Sequence, residues 1–300
     1  MPDTPDASYF TDGEQLSDFM KDMRAADTLT KSSRDDAHQL VDTFRAADGA
    51  GAWRSLSRDA VAKRLDDVVD NPRSIQQGHL NLCGPASVMC CWAARDPVAF
   101  VNYATVLFET GKSSIGTLAI QPSDALLNQD LSTLGDTGTD PADWMFLGAL
   151  RNTTNVFWQP AWVGDPQQTL AGMTRPEEVA AWMTATGIYS RVRNEGNWAT
   201  VAGLPHAMDI DLAEGTDVIL LINVSLLAAA DSSVPFDRTF LLNQFPNHYV
   251  VLLSGVVPQL NGDIVLLSVW TWGNNKVDLK VPKQAFIDNY YGAVIASLAH

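Results

Sequence analysis

Cys83 stands directly before Gly84-Pro85-Ala86-Ser87, where the chain reads as the opening of a helix. Pro85 suits a first helical turn, in which its missing N–H costs nothing, and "ASVMCCWAA" continues as an apolar helix. The thiol would then sit at the N-terminal end, where unpaired N–H groups and the helix dipole favour negative charge. The thiolate is the reactive form of cysteine, and this placement is one way to lower its pKa. The other two of the three cysteines, Cys90 and Cys91, fall in mid-helix and read as small buried hydrophobes. Their spacing gives neither a disulfide framework nor a Cys-x-x-Cys metal knuckle.

A nucleophilic thiol needs a base, and the chain has five histidines. His38 lies among charged helices and His300 is the last residue, so both read as surface groups. His79 is near Cys83 in sequence, but a short loop does not fix an imidazole, and His206 lies in the loop-like "GLPHAMDI". His248 opens "NHYVVLLSG", a polar residue at the mouth of a buried-looking strand. A strand end can hold an imidazole against a thiol on a facing helix. Gln77, six residues before Cys83, could donate its amide N–H to an oxyanion developing near the Cys83 backbone N–H.

Rival chemistries find no footing. The chain has no Walker loop, no Gly-x-Gly-x-x-Gly after a strand, no His-Glu-x-x-His and no Asp-rich calcium loop. The cysteine spacing does not suit a metal, so no metal and no cofactor is expected. A net charge of −15 argues against nucleic acid or an anionic membrane surface as partner. The longest apolar run, Val218 to Ala230, is too short for a bilayer span. The acidic, polar N-terminus "MPDTPDASYFTDGEQ" lacks the pattern of a secretory signal. The expectation is therefore a cytoplasmic protein, or one exported without a cleaved signal peptide.

The elements that must position these residues follow from periodicity and caps. Residues 1–73 read as a charged helical N-terminal extension, with "RDDAHQLVDTFRAADG" and a Ser57-capped helix that stops at Pro72. From Ser74 to Asn155 the chain reads as mostly helical. Asp96-Pro97 and Asp140-Pro141 each start a helix, and a further capped helix runs from Thr174 to Thr186. "TDVILLINVSLL", "HYVVLLSGVV", "DIVLLSVWTWG" and "NKVDLKV" read as strands, with a hairpin at Asn261-Gly262. A last helix, "PKQAFIDNYY", is expected to end at Gly292. Helices first and a largely antiparallel sheet afterwards predict an α+β class.

Taken together, Gln-x5-Cys-Gly, a cysteine that opens a helix and a distant His-Tyr before an apolar strand resemble the papain-like cysteine peptidase superfamily. The nearer likeness is to its bacterial double-glycine-leader peptidase-like domains, where Cys-Gly-Pro-Ala is frequent, and phytochelatin synthases look similar around the cysteine. The resemblance covers about residues 74 to 298. It implies a papain-like domain over 74–300, with the nucleophile helix packed on the sheet. Cys83 would be the nucleophile, His248 the general base and then acid, and Gln77 the oxyanion donor.

One departure stands out. The family places an Asn or Asp after the His strand to orient the imidazole, and the register of "VWTWGNN" puts Trp270 there. An indole N–H cannot accept from an imidazole N–H. Thr271 is the first substitute and Asn274 the next. A backbone carbonyl would leave a Cys–His dyad. The tryptophans read as core, or as a lid over the imidazole.

The resemblance thus implies a cysteine hydrolase that attacks an amide through an acyl-enzyme, as a peptidase or amidase on a peptide or protein substrate. A protein-modifying deamidase or acyltransferase of toxin or effector type, and an inactive binding module of the same fold, are the alternatives. A regulatory or inhibitory protein is the further partner class left open.

Overall fold

The computed structural model describes residues 31–155, 162–165, 168, 172–234, 245–259 and 262–298. Helices α1 (Lys31–Ala46) and α2 (Arg58–Asp70) lead. Ser57 caps α2 by accepting from the Ala60 N–H, an interaction of about 1 kcal/mol. Val61, Leu65 and Val68, at helical spacing, face Ala37, Val41 and Phe44 of α1 in the same core that takes in the nucleophile helix. The described part of the N-terminal extension is thus built into that core. Residues 1–30 and His300 lie outside the described residues.

Next comes α3 (Cys83–Arg95), buried over nearly all its surface from Gly84 to Ala93. Asp96 ends it and caps α4 (Pro97–Thr110) through the Ala99 N–H, and Gly111 closes α4 at φ +73°. Asp140 caps α6 (Pro141–Thr153) in the same way. Between α4 and α6 the chain is less helical than its periodicity predicts. It forms a hairpin of β1 (Ser113–Ile115) and β2 (Leu118–Ile120), then a single turn of α5 (Asp124–Leu127). The next helix, α7 (Pro176–Ala185), starts one residue later than its predicted Thr174 cap allows. Arg175 is the capping residue, its N–H held by the Glu178 carboxylate at 2.7 Å.

The main sheet is antiparallel throughout. Its strands are β3 (Tyr189–Asn194), β4 (Thr216–Ile222), β5 (His248–Leu252), β6 (Val257–Pro258), β7 (Ile264–Thr271), β8 (Asn274–Pro282) and β9 (Tyr290–Leu298). They are ordered β3-β9-β4-β5-β7-β6, with β8 also paired to β7. Both faces are covered, which is why β4 reads as a continuous apolar run rather than an alternating one. Ile219 and Leu221 face the large helical layer. Val218, Leu220 and Ile222 face Leu204 and Ala207 of α8 (Gly203–Met208), Leu226 and Leu227 of α9 (Ser225–Ala230), and Phe286 of α10 (Lys283–Asn289). The class is α+β. Among the described residues no helix is long and apolar enough to cross a membrane.

One strand reading and one helix reading are corrected. "TDVILLINVSLL" is strand only to Ile222; the Asn223 side-chain oxygen accepts from the Ser225 N–H and hydroxyl, and the chain turns into α9. The last helix stops at Asn289, and Tyr290–Leu298 is β9, seated between β3 and β4. Gly292 is no helix stop. It lies within that strand at φ +104°, where a Cβ would come within 2.1 Å of the Glu195 carbonyl oxygen. The β6–β7 hairpin forms as predicted, with Gly262 at φ +80°, while Asn261 lies outside the described residues.

Candidate active site

Cys83 opens α3, and that end of the helix packs on β5, the strand that His248 begins. Gly84 is needed there: a Cβ would stand 2.7 Å from the Thr174 side chain. The half-buried thiol points at the backbone beside His248, its Sγ 4.0 Å from the Asn247 carbonyl oxygen. Asn247 is fixed in turn, its N–H donating to Ile222 O at 3.0 Å and its side-chain oxygen accepting from the Val224 N–H at 2.9 Å.

His248 is 5% exposed. Its Nε2 shares a 2.7 Å hydrogen bond with the Thr271 hydroxyl, and Thr271 is itself buried. Trp272 stacks on the imidazole with ring centroids 4.3 Å apart and planes at 27°. The turn that carries Trp272 explains how it gets there. Thr271 pairs with Asn274, so Trp272 and Gly273 form a two-residue hairpin loop, both with positive φ, at 48° and 72°. That backbone matches the twist of the flanking strands but is uncommon for a bulky residue. The unusual tryptophan there serves to cover the imidazole.

Of the two candidates for orienting His248, the structure brings Thr271 to the ring and leaves Asn274 out. The Asn274 amide donates instead to the Trp272 carbonyl at 2.9 Å, on the exposed side of the turn. Trp270 is core, its indole N–H donating to the Arg73 carbonyl at 2.7 Å.

Gln77 is buried and lies in the loop that leads into α3. The Thr139 hydroxyl donates to its carbonyl at 2.5 Å, and the His79 N–H donates to the Thr137 carbonyl at 2.7 Å. Gly78 sits between them at φ +56°, where a Cβ would meet Thr137 O at 2.1 Å. Gln77, Cys83 and His248 all line one cleft of about 330 Å³, with Thr174, Trp198 and Trp272 among its other walls. Sequence reasoning missed Thr174 and Trp198, since neither belongs to a motif and each reaches the cleft from a separate segment. His206 also has a fixed place, but away from the cleft in α8, between Tyr290 and Glu195.

The electrostatics correct one expectation. Burial pushes the Cys83 thiol up to about 11, and the backbone N–H groups of Tyr249, Gly84 and Cys83 only partly offset it. The helix N-terminus therefore does not win against desolvation here. Burial likewise pulls His248 down to about 3. At neutral pH the site holds a protonated thiol and a neutral imidazole. No hydrogen bond between the two side chains is found among the described residues. Nor, among those residues, do three or more His, Cys, Asp or Glu side chains gather to hold a metal ion.

No family model matches the sequence, and no curated protein and no solved structure matches it either.

Proposed function

We propose that this chain is a papain-like hydrolase of the Cys–His class. Within that class we assign it as a peptidase or amidase that cleaves an amide through an acyl-enzyme on Cys83. The observation that most supports this reading is the convergence of Gln77, Cys83 and His248 on one cleft, with Thr271 holding the imidazole at 2.7 Å. These residues span 195 positions of sequence, from 77 to 271.

With Nε2–H donating to Thr271, Nδ1 is the acceptor that the ring has left. As a substrate carbonyl approaches, the Cys83 proton passes to Nδ1 and the sulfur bonds to the carbonyl carbon. The carbonyl electron pair moves onto oxygen, where Gln77 and the backbone N–H groups at the start of α3 can receive it. The intermediate collapses, the C–N bond breaks, and the imidazolium protonates the leaving amine. Water then attacks the thioester with His248 taking its proton, and the acid and the thiol are released. A neutral resting pair means that the proton moves during attack, not before it. Deamidation and acyl transfer share the first half of this scheme and differ only in the amide attacked or in the acceptor.

The raised thiol pKa and the missing Cys–His hydrogen bond favour a second reading, an inactive binding module of the same fold. Acetylation by p-nitrophenyl acetate at pH 7.5, followed by intact mass, separates the two. The hydrolase gains one acetyl group on Cys83, loses it to water on standing, and reacts at least tenfold more slowly as His248→Ala. Reaction at the same rate in wild type and His248→Ala refutes the hydrolase and leaves the binding module.

A further inference from the structure

We propose that Arg64 and Asp143 are positioning residues that hold the Gln77 loop in register as one wall of an oxyanion site. This inference rests on the hydrolase reading above. It gives α2, which lies outside the segment resembling a peptidase, a part in catalysis.

The loop from Arg73 to His79 has little structure of its own, one 3-10 turn at Pro72–Ser74, yet five of its backbone groups, on Arg73, Ser74, Gln76, Gln77 and His79, are tied to distant residues. Arg64 of α2 grips Asp143 of α6 with two parallel bonds, Nε to Oδ1 at 2.8 Å and a terminal nitrogen to Oδ2 at 2.7 Å. The same terminal nitrogen donates to the Ser74 carbonyl at 2.5 Å. The same Asp143 oxygen, Oδ2, accepts from the Gln76 N–H at 2.7 Å. The ion pair therefore holds the loop at a carbonyl and at an N–H, directly before Gln77. Trp270 holds Arg73 on one side, and Thr139 holds the Gln77 carbonyl on the other. Gly273 closes the ring: its Cβ position lies 3.3 Å from the Ser74 and Ile75 carbonyls, so the hairpin that carries Trp272 packs against the same loop.

A fully buried carboxylate is costly unless it is paired and hydrogen-bonded, and replacing such a pair by apolar residues is often no loss to stability. What an apolar pair could not do is bind a loop carbonyl and a loop N–H at once. Bidentate Arg–carboxylate geometry also fixes orientation, which a Lys cannot reproduce. Both properties suit a device that sets the position of Gln77 against Cys83.

The test uses the full chain and two probes of Cys83 that differ in one respect. Acetylation by p-nitrophenyl acetate passes through a tetrahedral oxyanion, whereas alkylation by iodoacetamide does not. Arg64→Lys, Asp143→Asn and Thr139→Val are compared with wild type, with thermal midpoints measured alongside. A misplaced oxyanion donor should slow acetylation about 10- to 100-fold while alkylation stays within about twofold. Arg64→Lys and Thr139→Val leave Asp143 charged or untouched, so they decide the matter if Asp143→Asn does not fold. An equal fall in both rates, or no change in acetylation in a folded Arg64→Lys protein, overturns the proposal. A wild type that alkylates but is never acetylated overturns the hydrolase reading instead, and this inference with it.

Discussion

His248 should make the protein acid-sensitive in a way that its variants are not. Burial holds the folded imidazole near 3 against an ordinary value of 6.5. Between those values the unfolded chain binds the proton and the folded one does not, so stability falls as pH falls. The contribution is complete above pH 6.5 and shrinks by about 1.4 kcal/mol for each pH unit below it. By pH 4 the loss is about 3 kcal/mol, a large share of the 5–15 kcal/mol that about covers natural proteins. Asp143 works in the opposite sense. Burial raises its carboxyl to about 6, so its contribution is lost as pH rises through that value. Comparing wild type with His248→Gln cancels Asp143 and every other shared group. The assay is urea unfolding at pH 7, 6, 5 and 4, followed by tryptophan fluorescence. The wild-type stability should drop about 3 kcal/mol further than that of His248→Gln across this range. Equal slopes would refute a buried neutral imidazole. A reversed difference would mean that His248 is protonated against a Cys83 thiolate, and the neutral resting pair would be wrong.

Two further perturbations follow from the same geometry. Thr271→Val keeps the side-chain shape but leaves a buried His248 nitrogen without its partner, a loss of about 1–3 kcal/mol by urea unfolding; acetylation of Cys83 should slow about tenfold or more, and an unchanged rate would remove Thr271 from the site. Trp272→Asn should relieve a left-handed backbone cost of about 1–2 kcal/mol while uncovering the imidazole. Its His248 should titrate closer to 6.5 by NMR, and a ring still silent down to pH 4 would mean that the stacked indole is not what shields it.

Much of the scaffold was legible because it is written in short-range chemistry. Ser57, Asp96-Pro97 and Asp140-Pro141 start helices where a capping oxygen and a proline say they should. Cys83 opens a helix, His248 opens a strand, and Thr271, the first residue expected to hold the imidazole, lies at its Nε2. Each of these depends on neighbours within a turn or on strand register, both of which one segment contains.

What the tertiary structure alone decided lies further apart in the chain. Tyr290–Leu298 runs on from a helical pattern, and only its pairing with β3 and β4 makes it a strand inside the sheet. Asn274 stands only three residues beyond Thr271, but the turn between them directs its amide to the Trp272 carbonyl rather than to the imidazole. The Cys83 thiol has a helix N-terminus that lowers its pKa and an interior that raises it, and only the packing of β5 against α3 says that burial prevails. Arg64 and Asp143, far apart in sequence, show no pattern until α2 and α6 bring them to one loop. Periodicity and caps report which face a segment must bury. They are silent on what that face will meet, and desolvation and ion pairing depend on nothing else.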